Sequence, residues 1–224
     1  ETLHDFEWGV EKRHPDWAWG VTAFYMRYKN QLVLTGKINS IGAYTRTNIP
    51  NSYRTGIEMT GSWKAATWLH ASGNLTLSAN RILDFTEYID DYDNGGQKMN
   101  NYPRSDIALS PSVIGQATLE FLPARSMQIA LLSKYVSRQY LDNTSKDTRS
   151  LAAYFNQDLR FIWTVRQPWV KQAQLIGQVN NLFNAKYSPS GYTYSYYSGG
   201  TLVTSNNYYP MAVRNATITL SLGF

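Results

Sequence analysis

The chain has 224 residues, no cysteine and a formal net charge of +5, with 17% charged and 14% aromatic residues. Without cysteine there is no disulfide framework, thiolate nucleophile or cysteine-based metal site. The basic residues are scattered, not clustered as a nucleic-acid-binding surface requires.

The mean hydropathy of −0.40 owes its polarity to Ser, Thr, Asn, Gln and Tyr more than to charge. That balance suits a wall with one face in lipid and the other in water. No run approaches the ~18 consecutive apolar residues that a spanning helix needs, so a membrane crossing would have to use strands.

Period-two alternation runs along the whole chain. Phe6, Trp8 and Val10 alternate with Asp5, Glu7 and Glu11. With no initiator Met and no signal peptide ahead of it, this opening segment reads as truncated. After a short turn near His14–Asp16, residues 17–30 are noisier, and a long polar loop is expected over Asn30–Pro50.

Tyr53, Ile57, Met59 and Trp63 then alternate with Arg54, Glu58, Thr60 and Lys64. Past the turn near Ala65–Thr67 comes the cleanest strand. Leu69, Ala71, Gly73, Leu75, Leu77 and Ala79 interleave with His70, Ser72, Asn74, Thr76, Ser78 and Asn80. A second long loop is expected over Asp84–Pro103, followed by Val113, Ala117, Leu119 and Phe121 set against Ser112, Gln116, Thr118 and Glu120.

A turn near Leu122–Arg125 leads into the noisier 126–141 and a loop at Asp142–Arg149. Leu159, Phe161 and Trp163 share a face opposite Asp158, Arg160 and Ile162; beyond Arg166–Lys171, Leu175, Gly177 and Val179 oppose Gln174, Gln178 and Asn180. A fourth long loop is expected over Asn184–Asn207. Ala216, Ile218, Leu220, Leu222 and Phe224 then alternate with Asn215, Thr217, Thr219 and Ser221.

About nine strands result, joined alternately by short turns and long polar loops, the loop sorting of a bacterial outer-membrane barrel. All seven Trp (Trp8, Trp17, Trp19, Trp63, Trp68, Trp163 and Trp169) lie near the short connections. A periplasmic aromatic girdle would place them so; ordinary core filling would scatter them.

Two segments carry a family resemblance. Gln178-Val179-Asn180-Asn181-Leu182-Phe183-Asn184-Ala185-Lys186-Tyr187 resembles the block before the last hairpin of TonB-dependent receptors. Tyr208-Tyr209-Pro210-Met211-Ala212-Val213-Arg214-Asn215, running into Ile218 through Phe224, is similar to that family's end, although Ala212-Val213 replaces a frequent Gly.

The resemblance implies an all-β, antiparallel up-and-down transmembrane barrel, in which residues 1–224 are the C-terminal part of a larger barrel of 22 strands. It also implies an absent N-terminal plug domain through which the TonB complex acts. The expected function is TonB-dependent uptake of a scarce solute (iron–siderophore, haem, cobalamin or glycan) across the bacterial outer membrane. Ile218, Leu220, Leu222 and Phe224 would then be the signal read by the barrel-assembly machinery, with lipid as the other partner. Because an odd number of antiparallel strands cannot close, the chain would need the rest of its barrel. A complete small barrel acting as a pore or enzyme, and a soluble β-sheet binding protein, are the competing classes.

Few residues suggest chemistry. His4, His14 and His70 do not converge, and none sits beside a nucleophile at the loop rim, so no catalytic site is expected. The acidic stretch Asp84–Gly96 fails the calcium-loop pattern and reads as solvated, so neither a metal nor another cofactor is expected. Lys134, Arg138, Arg160, Glu58 and Glu120 read as inward-facing, pairing across the wall or meeting a plug. Tyr192, Tyr194, Tyr196 and Tyr197 offer flat faces plus hydroxyls for a sugar or aromatic chelate. An interfacial girdle explains such tyrosines equally well and is preferred for Tyr208 and Tyr209.

Overall fold

The computed structural model describes the backbone of residues 1–39, 41, 43–167 and 170–223, and the side chains of these apart from 36–38, 44, 166, 167 and 170. Trp169 and Phe224 therefore lie outside the described residues. The first four strands are β1 (Thr2–Arg13), β2 (Trp17–Ile38), β3 (Tyr44–Ala66) and β4 (Leu69–Asp91), and β5 is Gln97–Asp106. There follow β6 (Val113–Ala124), β7 (Met127–Val136), and the two-residue strands β8 (Gln139–Tyr140) and β9 (Ser150–Leu151). The chain continues with β10 (Tyr154–Gln167), β11 (Val170–Asn180), β12 (Ser190–Ser198), β13 (Thr201–Tyr209) and β14 (Asn215–Gly223). Among the described residues the only helical piece is a 3-10 turn at Asp147–Arg149.

Nine strands make one continuous antiparallel wall in the order β1-β2-β3-β4-β6-β7-β10-β11-β14. Among the described residues β1 pairs only with β2 and β14 only with β11, so the sheet is an open part of a barrel. Short connections fall on one rim. On the other rim the segments expected as loops carry further strands. The polar stretch 30–50 is the continuation of β2 and β3, which run to 22 and 23 residues, and β4 also reaches 23. About 9–11 residues suffice to span a bilayer, so these strands rise well clear of it. In water neither face must be apolar, and the alternation that marks a lipid-facing strand fades there. Asp84–Pro103 is likewise the β4–β5 hairpin and Asn184–Asn207 contains the β12–β13 hairpin.

Register explains the faces. Trp8, Ala23, Ile57, Leu77 and Val113 stand in one cross-strand row. Another row is Ala71, Leu119, Leu131, Leu159, Val179 and Ala216, and a third joins Met127, Trp163, Leu175 and Leu220. The alternate rows are more polar: Thr22–Glu58–Thr76, which runs on into Ile114 and Val136, and Asn74–Gln116–Lys134–Asn156. The noisy segments fit the same scheme, with Val21, Ala23 and Tyr25 on the apolar side and Phe24 on the polar side. Phe24 is tolerated there because it lies over Gly56, where an added Cβ would sit 2.8 Å from the ring and 2.3 Å from the Leu77 carbonyl oxygen. At the short-turn rim Trp17 pairs with Trp63, and Trp68 packs edge-on against Phe121 at 5.7 Å. Trp8 departs from the expected girdle: opposite Ala23, it stands halfway up the wall.

Higher up, the faces exchange. Asn30 and Asp84 have positive φ, 54° and 55°, a conformation Asn and Asp tolerate better than most residues. In register they stand in one row with two prolines, Asn30–Pro50–Asp84–Pro103; Lys29–Asn51–Leu83–Arg104 are paired below it, and above it Gln31 pairs with Ile49 and Phe85 with Tyr102, while the β3–β4 pairing ends at the row. Each proline lacks the N–H a ladder needs, and no pair is formed in that row. In β4 even-numbered Asn80 and Ile82 are buried below the row, and odd-numbered Phe85, Ile89 and Asp91 above it. The small apolar core of Val33, Ile49, Ile82, Phe85 and Ile107, with Tyr102 against it, straddles this inversion.

The last hairpin is pinned by the asparagines of the 178–187 block. Asn181, 4% exposed and at φ 51°, donates through Nδ2 to the carbonyls of Ala185 (2.8 Å) and Ala212 (3.2 Å), and its Oδ1 accepts the Ala185 N–H. Its own N–H goes to Asp158. Asn184 Oδ1 accepts from Arg214 N–H, and Asn180 donates to Asn215. The block therefore couples the end of β11 to the start of β14.

Two substitutions test these placements. Leu75→Arg, on the lipid face, should cost about 2–4 kcal/mol near mid-membrane, whereas Asn74→Arg should be tolerated; equal costs in denaturant titrations of the full barrel in lipid vesicles would reverse the sidedness. Asn181→Ala should destabilise the closing hairpin by about 1–3 kcal/mol, the usual cost of stranding buried polar partners. Hydrogen exchange should then speed up at 181–185 and 211–214 while β6 and β7 are unchanged.

Candidate functional site

Four of the long connections fold together over the polar face at the mouth of the wall. The segment after β5 crosses that face: Arg54 Nη1 donates to Asn80 Oδ1 and Ser110 Oγ, both at 3.1 Å, and Ile107 N–H bonds the Asn80 carbonyl. Asn143, fully buried, links three connections by donating to the Leu34 carbonyl and accepting from Ala108 N–H. Asn206 of β13 donates to the Thr148 carbonyl.

The β12–β13 hairpin docks on the tip of β4. β12 runs parallel to β4 with Tyr196 opposite Asp90 and Tyr197 opposite Asp91. Asp93 accepts the N–H groups of Gly199 (2.8 Å) and Gly200 (2.9 Å). These glycines turn the hairpin at φ 61° and 72°, where a side chain would be strained. Lys98 lies 3.8 Å over the Tyr197 ring and 3.2 Å from Asp91, and the Tyr92 and Tyr196 rings meet at 5.3 Å. The Asn94 amide, followed by Lys98 and the 93 and 94 N–H groups, holds the Asp91 carboxyl below the usual carboxylate range. The acidic stretch is thus a hairpin and not a loop: the carboxylates of Glu87, Asp90, Asp91 and Asp93 bind protein groups, while Asp84 and the tip at 92–96 are exposed. Among the described residues no three His, Cys, Asp or Glu groups gather as metal ligands.

An ion cluster lies at the centre of this layer. Arg149, 2% exposed, gives Nη1 to both Glu87 Oε1 and Asp142 Oδ2. Glu87 Oε2 accepts from the Tyr102 hydroxyl at 2.8 Å, with Lys146 Nζ at 3.7 Å; Asp142 Oδ1 accepts from the Thr144 N–H and hydroxyl. Burial would raise the Glu87 carboxyl, but Arg149, Tyr102 and Lys146 together hold it below its ordinary value. Burial and then Glu87 push the Tyr102 hydroxyl up, so it stays a donor. The Arg149 guanidinium is held more basic than usual because the two carboxylates outweigh its burial. Beside the cluster is a cavity of about 220 Å³, lined by Arg149, Glu87 and Asp142, by hydroxyls including those of Thr47, Thr193 and Ser195, and by Phe85 and Tyr194.

The four candidate tyrosines divide. Tyr192, Tyr194 and Tyr196 alternate with buried Thr193 and Ser195, while Tyr197 is covered by Lys98. Of the four, only Tyr194 lines the cavity. Sequence reasoning missed Arg149, Glu87, Asp142, Thr193 and Ser195. The available signal was the Tyr–Thr–Tyr–Ser–Tyr alternation, which marks a strand with a small-residue face. Elsewhere, Glu120 accepts from Gln128 at 2.7 Å within the wall, and Arg138 bridges to Asp147 at 2.7 Å in the loop layer. The histidines stay apart: His14 stacks on Trp17 at 5.4 Å and His70 stands opposite Glu120.

Known proteins place this architecture. The family model described as TonB dependent receptor-like, beta-barrel, matches residues 1–182. The ferric yersiniabactin uptake receptor FyuA of Yersinia pestis superposes with a TM-score of 0.62 at 16% identity, covering 99% of this chain and 30% of that one. The siderophore receptor PiuA of Acinetobacter baumannii gives 0.68 at 14% identity, covering 97% and 28%. The ferric-catecholate import receptor Fiu of E. coli K12 gives 0.62 at 13% identity, covering 97% and 27%. No curated protein sequence matches. The chain spans less than a third of the length of these receptors. With a nine-strand open wall, sorted connections and a family match over most of its length, the chain belongs to the TonB-dependent receptor β-barrel family of the bacterial outer membrane.

Proposed function

We propose that residues 1–224 form the C-terminal wall and part of the loop canopy of an outer-membrane receptor whose import of a scarce solute is driven by the TonB complex. The carrying observation is the canopy itself. Loops from four connections are cross-linked over a polar face, an arrangement suited to capturing a solute outside and passing it inward. Receptors of similar fold named for ferric siderophores make such a chelate the best-supported solute class.

TonB acts on an N-terminal plug outside this chain, and the wall contributes lipid contact, enclosure and loops. Ile218, Leu220 and Leu222, well exposed on the outer face of β14, serve barrel assembly as well as lipid contact; Phe224, the remaining part of that signal, lies outside the described residues. Tyr192, Tyr194, Tyr196 and Tyr197 supply aromatic contacts to the arriving solute. Aromatic anchors that become desolvated dominate binding energies, often at about 2 kcal/mol or more. In the full-length receptor, changing the four to Ala should weaken solute binding by about 2 kcal/mol while heat-modifiable mobility, the mark of a folded barrel, persists. Unchanged affinity together with failed assembly would assign these residues to an interfacial girdle instead.

A further inference from the structure

In the ion cluster of the loop layer every carboxylate oxygen is engaged, but one donor is not. Both carboxylates meet the same nitrogen of Arg149, Nη1. Nη2 is buried without a hydrogen-bond partner. A charged donor stranded in this way is costly unless something supplies an acceptor. Arg149 lines the cavity of about 220 Å³, so the acceptor has a place to come from.

The chemistry of the walls narrows what that acceptor is. The formal charges of Arg149, Lys146, Glu87 and Asp142 cancel, so the cluster offers N–H groups with little net attraction for an anion. Thr47, Thr193 and Ser195 add hydroxyls, and Phe85 and Tyr194 add flat apolar cover. The volume corresponds to about seven waters at ~30 Å³ each, and lies below the ~300–1,000 Å³ of a pocket for a whole drug-sized ligand. It has room for one ring.

We infer that this cavity is a subsite for a neutral, hydroxyl-rich ring of sugar type, free or carried as an arm of the imported solute. Nη2 donates to the ring oxygens, the Thr and Ser hydroxyls complete the polar contacts, and the aromatic wall covers the C–H face. The inference deepens the transport reading and rests on it only for how the ring arrives.

The test uses the full-length receptor in a detergent without a sugar head group, with saturation-transfer NMR and titration of glucose, acetate and methylammonium. Glucose should bind in preference to both ions. Arg149→Lys keeps a cation for Glu87 and Asp142 but removes Nη2, and should weaken glucose binding at least tenfold. Thr47→Leu, at an exposed position away from the ion cluster, should do the same by filling space. If Arg149→Lys does not fold, Thr47→Leu decides. No glucose signal, tighter acetate binding, or unchanged affinity in the folded variants overturns the subsite. TonB-dependent uptake by cells is scored separately: its absence would refute the transport reading and leave glucose binding to the purified receptor as measured.

Discussion

Hydrocarbon offers no water to a peptide group, and each unpaired N–H or C=O there costs several kcal/mol. The wall is organised around this constraint. Every one of its nine strands pairs laterally, in registers that run unbroken over most of the spanning length. Once pairing fixes the backbone, side chains have only two directions, and the period-two pattern assigns one to lipid and the other to the interior. Register then multiplies the effect: apolar meets apolar along whole rows, so that a one-residue slip anywhere would turn a row of Leu, Ile and Trp toward water.

The lower wall is legible because lipid imposes a strict code. Leu69 through Ala79 announce their facing without help from context, and the short connections come with it. Residues 17–30 are harder because Phe24 sits on the polar side, and only its partner Gly56 on the next strand makes room for it. Single-strand periodicity carries no information about such a pair. The upper part misleads for a different reason. Asn30, Pro50, Asp84 and Pro103 have the composition of loop ends, because Asx and Pro favour turns. They stand instead inside paired strands, where water removes the demand for an apolar face.

The ion cluster is invisible in the sequence, since Glu87 stands on the β4–β5 hairpin and Asp142 and Arg149 in the connection after β8, each unremarkable alone. Buried charges are retained only when partners surround them, and here the partners are assembled by the docking of the loops. That docking relies on small polar residues: Asn143 between Leu34 and Ala108, Asp93 on the Gly199–Gly200 turn, Asn206 on Thr148. The tyrosines draw attention as the most conspicuous residues of the last loop. The short Thr193 and Ser195 between them face the protein, while most of the rings stand on the opposite side.

The Asn30–Pro50–Asp84–Pro103 row has a bearing on how such a receptor changes over time. A strand normally transmits its facing from end to end, so altering its upper part by a single residue would scramble everything above. At this row the facing is reset by backbone conformation, whatever residues the upper stems carry. The stems above and the staves below therefore keep separate facings, held to each other by the apolar core that straddles the row. An exchange of stems at that line carries its own inside and outside with it, so long as the new stems still cover Ile82 from above.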